Sequence, residues 1–486
     1  MNKKIAEEVL AAQGRLVFTD ADDGIYPLIL PGDLPVIKTK DGLPRKFDIV
    51  LYRRGDGEYA LRRIVSINDD TYVMRGDNRG EMDYGVTEEQ ITGMVTGIIR
   101  DGKTVPIDRA ERLMAERITR DLLYLLSCAV NEVPPSAKRC KEMDLMAVYR
   151  FARSHFLTAA AAFALEQAVE LPREFDQAKK KAIRKLAFFE IERAGILREF
   201  EKEGIWYLPL KGILLGSCYP KSAMREMNDN DILCDSEKMT EVKAIMTRLG
   251  YTCKMENIYI HDSYEKPPTL EFEMHRMLFD KEEYPQAYNY YKDIAERLSA
   301  KDGSGYCRRM TDEDLYVYLI CHMYKHFVHA GTGLRSLLDI YVYNKTRGNG
   351  LRRDYIKREL KKLGLTRFEK ETRSLAKKAF GGRTLSSANM KKLRVYSEAG
   401  VCGTRTRAEN SRILRMIGGD SPRAKSNYFI KRLFISDETL KNYYPTVYRH
   451  KVLYPFLLLY RFAKSVVTHP KAIFYEIKTV CRFRNN

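Results

Sequence analysis

Apolar positions in the first hundred residues come in short blocks. Asp48-Ile-Val-Leu-Tyr52, Tyr59-Ala-Leu-Arg-Arg-Ile-Val65, Tyr72-Val-Met74 and Met94-Val-Thr-Gly-Ile-Ile99 are separated by Asp, Gly and Asn turns, a pattern that predicts strands. At Asp108, expected to cap a helix, the period changes, and helical spacing dominates to about residue 203. Within 177–203, Leu186, Phe189, Ile196 and Phe200 recur on one face among Lys, Arg and Glu. After Gly204 the elements become shorter: a strand over Ile205–Leu210, a short helix over 213–218 and a strand over Asp229–Cys234. A helix over Ser236–Leu249, ended by Gly250, and a strand over Glu271–His275 follow. Residues 311–345 return to helix, with Thr311 or Asp312 as the cap. The resulting expectation is an α+β chain in four parts. A mostly-β domain spans 1–108, a helical lead-in 109–204, an α/β core with its following helices 205–345, and a basic helical region 346–486.

Charge changes this picture most in the last part. Residues 341–486 hold 34 Lys and Arg against 10 Asp and Glu, a balance of +24, whereas residues 1–108 hold 15 against 19, a balance of −4. The whole excess of +19 therefore sits in the last third. It suits a polyanion such as nucleic acid, an anionic membrane face or a phosphate-rich substrate, or else a solvated helical surface. No uncharged apolar stretch is long enough to span a bilayer, and the N-terminus turns acidic too early for a secretory leader. Nine scattered cysteines without a Cys-x-x-Cys pair read as reduced thiols of a cytoplasmic protein.

The chemistry concentrates between 205 and 275. A strand ends in Lys211-Gly212, a short helix follows, and Asp229-x-Asp231 stands on the next strand. Residues i and i+2 of a strand share a face, so the two aspartates point the same way, and Glu273 can approach from a neighbouring strand. Three converged carboxylates repel unless cations neutralise them, and Mg²⁺ is the natural hard-oxygen partner. Lys211 and the amide of Gly212 are placed to cradle a triphosphate.

This order resembles the polymerase-β-type nucleotidyltransferase superfamily, and within it an uncharacterised bacterial family sometimes numbered five. The matching residues are Leu210-Lys211-Gly212, Arg225 followed by Asp229-Asn-Asp231-Ile-Leu, and Glu273-Met-His275. Upstream, Phe151-Ala-Arg-Ser-His155 also matches. Downstream, so do Leu319-Ile-Cys-His322-Met-Tyr-Lys325-His326, Leu334-Arg335-Ser-Leu-Leu-Asp339 and Asn442-Tyr-Tyr-Pro445. The resemblance implies an NTP substrate such as ATP and Mg²⁺, or Mn²⁺, held by Asp229 and Asp231, with Glu273 as third ligand or base. Lys211, Gly212, Arg225, Lys325 and His326 are the expected nucleotide-binding residues. The acceptor is open: a nucleic acid, a protein or another molecule. Asn228 stands where the family has Gly, and Asn230 replaces an apolar residue and should point away from the metals.

Five histidines cluster between 261 and 329: His261, His275, His322, His326 and His329. The i,i+4 pair His322 and His326 shares a helix face and could chelate zinc, wall a pocket, or pack. Arg335 and Asp339, also i,i+4, are expected to pair with each other.

Residues 14–108 show a second resemblance, to signal peptidases and self-cleaving repressors. Its frame is Tyr26-Pro27, Gly32-Asp33, Phe47-Asp-Ile-Val50, Leu61-Arg-Arg-Ile-Val65 and Arg75-Gly-Asp-Asn78. In that frame Gly24 takes the place of the nucleophilic serine and Arg62 that of the general base. Neither does the chemistry, so a degenerate, pseudoenzyme domain that binds a peptide strand or protein partner is expected. A non-catalytic adaptor, with both enzyme-like parts degenerate, is the alternative for the whole chain. In the tail, Val452–Tyr460 is too short to span a bilayer. It reads as core packed under a basic face, with peripheral contact to an anionic membrane as the other possibility.

Overall fold

The computed structural model describes residues 5–400 apart from 20–21, 40–41, 69, 256–259, 269, 302, 304 and 383, together with 434, 440 and 444–468. The chain divides into two compact units. One takes in residues 1–128, 133–153 and 164–175, and the other 129–132, 154–163 and 176–486.

The first unit opens with α1 (Ile5–Gln13) and an antiparallel sheet. Its strands are β1 (Arg15–Val17), β2 (Leu34–Lys38), β3 (Ile49–Arg53), β4 (Tyr59–Asn68), β5 (Thr71–Arg75), β6 (Met82–Thr87), β7 (Ile91–Arg100) and β8 (Lys103–Pro106). Their order is β1-β2-β7-β3-β4-β5-β6, with β8 on β7. β3 is buried on both faces: Ile49 and Leu51 enter one core with Ile25, Ile37 and Leu61, while Val50 and Tyr52 enter another with Tyr72 and Met74. The strand therefore reads as a continuous apolar run rather than an alternation. α2 (Ile107–Asn131) follows, starting one residue before the expected cap. Then come α3 (Ala137–Lys141) and α4 (Leu145–Ser154), followed by α5 (Thr158–Leu165) and α6 (Arg173–Lys202), most of whose residues belong to the second unit.

The second unit is organised by a five-stranded sheet built from β9 (Tyr207–Pro209), β10 (Asn230–Cys234), β11 (Thr252–Met255), β12 (His261–Lys266) and β13 (Leu270–His275), in the order β11-β12-β13-β10-β9. β10 and β13 are parallel and the other pairings antiparallel. α7 (Lys211–Gly216) leads from β9, and α8 (Met239–Arg248) crosses from β10. Phe189, Ile196 and Phe200 of α6 and Val242, Ile245 and Met246 of α8 pack on Ile232, Cys234, Phe272 and Met274. That cluster covers one face of the sheet and leaves the other for polar side chains.

The helix expected over 311–345 is two helices, α10 (Asp312–His329) and α11 (Leu334–Arg347). Gly331 takes the left-handed conformation at φ 92°, which ends the first. Thr311 caps α10 by accepting the Asp314 N–H at 3.1 Å. α9 (Pro285–Tyr291) precedes this pair, and α12 (Arg353–Lys362), α13 (Thr366–Phe380) and α14 (Ser387–Ser397) follow it. Farther on are α15 (Pro445–Arg449) and α16 (Tyr454–Thr468). Much of the aromatic and basic end, with Asn442 and Tyr443 of the Asn442–Pro445 match, falls outside the described residues. The expectation that Val452–Tyr460 is core is corrected. Val452 is 84% exposed, Phe456 68% and Leu459 67%, and of this run only Leu457 is buried. No described helix is long and apolar enough to cross a membrane.

Candidate active site

The polar face of the second sheet carries the acidic residues. Ile232, Cys234, Phe272 and Met274 enter the helical core, so alternation turns Asp231, Glu273 and His275 to the opposite face. Asp231 and Glu273 are register partners across β10 and β13, and His261 faces His275 across β12 and β13. Carboxylate oxygens of Asp229, Asp231 and Glu273 lie within 4.8 Å of one another. A set of hard oxygens this close fits a divalent cation such as Mg²⁺.

The electrostatics divide the two aspartates. Burial, then the neighbouring Asp231, push the Asp229 carboxyl above the usual carboxylate range. Burial opposes the charge on Asp231 too, but Lys211 and the hydrogen bond from His275 outweigh it and hold that carboxyl far below the range. Lys211 Nζ lies 3.1 Å from Asp231 Oδ2. His275 Nε2 lies 3.1 Å from Asp231 Oδ1 and 3.3 Å from Glu273 Oε2. For Lys211, burial is outweighed by Asp231, so its ammonium stays charged. Its backbone sits at φ 25°, a left-handed value that a lysine rarely adopts and that marks the Lys-Gly turn as strained.

At Gly212 a Cβ would stand 2.6 Å from Met227 Sδ and 2.8 Å from Arg225 Nη1, so a side chain there would displace one or both of these ends. Arg225 is buried; its Nε and Nη2 donate to Asp339 at 2.9 and 3.0 Å, and Tyr219 Oη donates to the same carboxylate at 2.7 Å. This overturns the expected Arg335–Asp339 pair. With Asp339 already accepting from Arg225 and Tyr219, Arg335 instead donates to the Glu226 carbonyl at 2.9 Å and lies over the Phe156 ring.

α10 supplies Lys325, His322 and His326 on the Lys211 side, where each feels the Lys211 charge. His322 Nε2 and His326 Nε2 are 3.2 Å apart. Burial, then Lys211, keep both imidazoles neutral, His326 down to about 3, and lower Lys325 as well. Among the described residues no third metal-ligand side chain joins this histidine pair.

Asn230 is fully buried on the helical face, where its Oδ1 accepts from Arg193 Nη1 of α6 at 2.9 Å. Asn228 does not use the left-handed conformation that a family glycine would offer. Three residues have roles that the sequence does not assign them. His155 is buried; its Nδ1 accepts the Leu334 N–H at 3.3 Å while Nε2 meets the Ser397 carbonyl at 3.2 Å, which anchors the start of α11. Glu226 accepts the Ala159 N–H at 2.8 Å in the first turn of α5. His261 was visible only as one of a histidine cluster, and its pairing with His275 follows from strand register.

Residues 141–381 match a protein family described as uncharacterised nucleotidyltransferase. The matched range holds the Lys-Gly turn, both carboxylate strands, α10 and α11, and supports nucleotidyl transfer as the reaction class with an NTP as substrate. Residues 1–140 lie outside it. No curated protein and no solved structure matches the chain.

In the first unit, the positions singled out by the peptidase-like frame meet. A Cβ on Gly24 would stand 2.2 Å from Arg62 Nη1. Arg62 is 2% exposed, and its Nη1 donates to Asp22 Oδ2 at 2.9 Å and to the Leu61 carbonyl at 2.7 Å. The Gly76-Asp77 turn closes over the same point, Asp77 N donating to the Gly24 carbonyl at 2.7 Å.

Proposed function

We propose that the chain transfers a nucleotidyl group from an NTP to an acceptor hydroxyl. The observation that carries this reading is the convergence of Asp229, Asp231 and Glu273 oxygens within 4.8 Å, beside a lysine already bound to one of them. Asp229, Asp231 and Glu273 would hold Mg²⁺, or Mn²⁺, and ions in that position supply charge neutralisation to the phosphates and to the attacking and leaving oxygens. Lys211 exchanges Asp231 for phosphate oxygens, and the Gly212 amide and Arg225 Nη1 offer donors at the same turn. Lys325 adds positive charge from α10, and the neutral His322 and His326 hydrogen-bond without adding repulsion to Lys211. The acceptor hydroxyl would give up its proton, to Glu273 or to solvent, as its oxygen bonds to the α-phosphorus; the bond from the α-phosphorus to the bridging oxygen of the β-phosphate breaks, and pyrophosphate leaves. Electrostatic positioning of this kind is the main source of rate in phosphoryl-type transfers.

We further propose that residues 1–108 are a catalytically inert peptidase-like module kept for binding a peptide strand or protein partner. Gly24 offers no nucleophile, and Arg62, permanently protonated and tied to Asp22, takes no proton. Among the described residues the cysteines are free and mostly buried, which fits a cytoplasmic setting.

The test is incubation with each α-labelled NTP, Mg²⁺ and cell extract. Label should pass to an acceptor with the native chain and not with the Asp229→Ala, Asp231→Ala double variant. Equal labelling by both would overturn the assignment.

A further inference from the structure

The carboxylate face continues past Glu273 into a group of different chemistry. His261 and His275 are directly opposed residues of β12 and β13, and Glu273 precedes His275 by two on the same face. One ligand atom from each of His261, Glu273 and His275 lies within 4.8 Å of the others. His261 Nε2 is 3.5 Å from Glu273 Oε1, and His275 Nε2 is 3.3 Å from Glu273 Oε2. Two ligand atoms on one tetrahedral ion with bonds of about 2.1 Å stand about 3.4 Å apart, close to each of these spacings, which use the two different oxygens of Glu273. Both rings are largely enclosed, His275 at 5% exposure, and the Nδ1 of each is buried without a hydrogen-bond partner.

We propose that His261, Glu273 and His275 form a second metal site, selective for a borderline transition ion such as Zn²⁺, Co²⁺ or Ni²⁺ over Mg²⁺, and that Glu273 bridges it to the Asp229–Asp231 site. The bridging role rests on the nucleotidyl-transfer reading; the histidine site itself does not. Imidazole nitrogen suits Zn, Co and Ni, whereas a set made only of carboxylates suits Mg²⁺. The two ligand groups share only Glu273, so one face of the sheet offers an all-oxygen end and a nitrogen-bearing end.

The experiment is titration of the full chain with Co²⁺, followed by visible ligand-field absorption and equilibrium dialysis in excess Mg²⁺. One Co²⁺ should bind with bands typical of nitrogen coordination. His261→Gln should weaken it at least about 10-fold, since even loss of groups behind the ligands has that effect. Asp229→Asn, outside the histidine group, should leave the Co²⁺ bands in place. Absence of Co²⁺ binding that survives Mg²⁺ would overturn the proposal, as would binding that His261→Gln leaves unchanged. Mg²⁺-dependent NTP binding, measured separately by calorimetry, reads the nucleotidyl-transfer site. Its loss with Co²⁺ binding intact overturns the transferase reading and the bridge while upholding the histidine site, and the converse pattern removes the histidine site alone.

Discussion

Asp231 and Glu273 are partners in the register of two parallel strands, and Lys211 holds the first of them at 3.1 Å. A lysine in that position balances the acidic face and is at hand for phosphate.

Removing the Asp229 carboxylate should act in opposite directions on activity and on stability. Asp229 is pushed up chiefly by burial, so the folded state holds its proton more tightly than the unfolded one and pays for the charge at neutral pH. Asp229→Asn should lower nucleotidyl transfer by about 10²-fold or more. It should also raise the thermal midpoint of the metal-free protein by about 2 °C. Calorimetric melting beside a labelled-NTP assay checks both signs.

Lys211→Ala removes the charge at the turn. A charge-assisted hydrogen bond is worth about 1.5–3 kcal/mol, so NTP affinity should fall between about 10- and 100-fold. Isothermal titration with Mg²⁺ and NTP reads it directly.

The Arg225–Asp339–Tyr219 cluster should behave as a structural unit. Asp339→Asn leaves Arg225 buried without its counter-charge and should cost about 3–5 kcal/mol in urea unfolding. Arg335→Met, whose guanidinium serves a carbonyl instead, should show little energetic coupling to Asp339 in a double-mutant cycle.

His155 gives a pH signature. Burial lowers its imidazole to about 4 from an ordinary 6.5. The unfolded chain therefore binds the proton first, and the stability from neutral His155 is complete above pH 6.5 and drains away as pH falls toward 4. That window is worth about 3 kcal/mol, and His155→Gln should flatten it in denaturation midpoints taken from pH 7 to 4.5.

Gly24→Ser should not revive a peptidase. A Cβ there meets Arg62 Nη1, so the variant should lose about 1–3 kcal/mol. Adding Arg62→Ala should return part of it. Neither variant should be labelled by a fluorophosphonate probe.

Strand alternation made part of the acidic face readable: Asp231 and Glu273 follow from spacing, as does the burial of Asn230 away from them, whereas Asp229 stands one residue before β10 rather than on it. Local pattern did not reach the partners chosen across long separations. Asp339 sits four residues from Arg335, the favoured helical pair, yet goes to Arg225, 114 positions earlier. The break at Gly331–Gly333 was hidden because apolar spacing continues across it. β3, buried on both faces, still looked like a strand because its apolar run is short.

His155 joins three stretches of chain that lie far apart in order of synthesis. The backbone it steadies at Leu334 is 179 residues later, and the carbonyl it meets at Ser397 is 242 residues later. A chain leaving the ribosome thus displays its imidazole long before either partner exists. The helix bearing Asp339 gains its last anchor only after α14 has emerged, so a fragment cut short ahead of Ser397 would carry every proposed metal-binding carboxylate without that anchor.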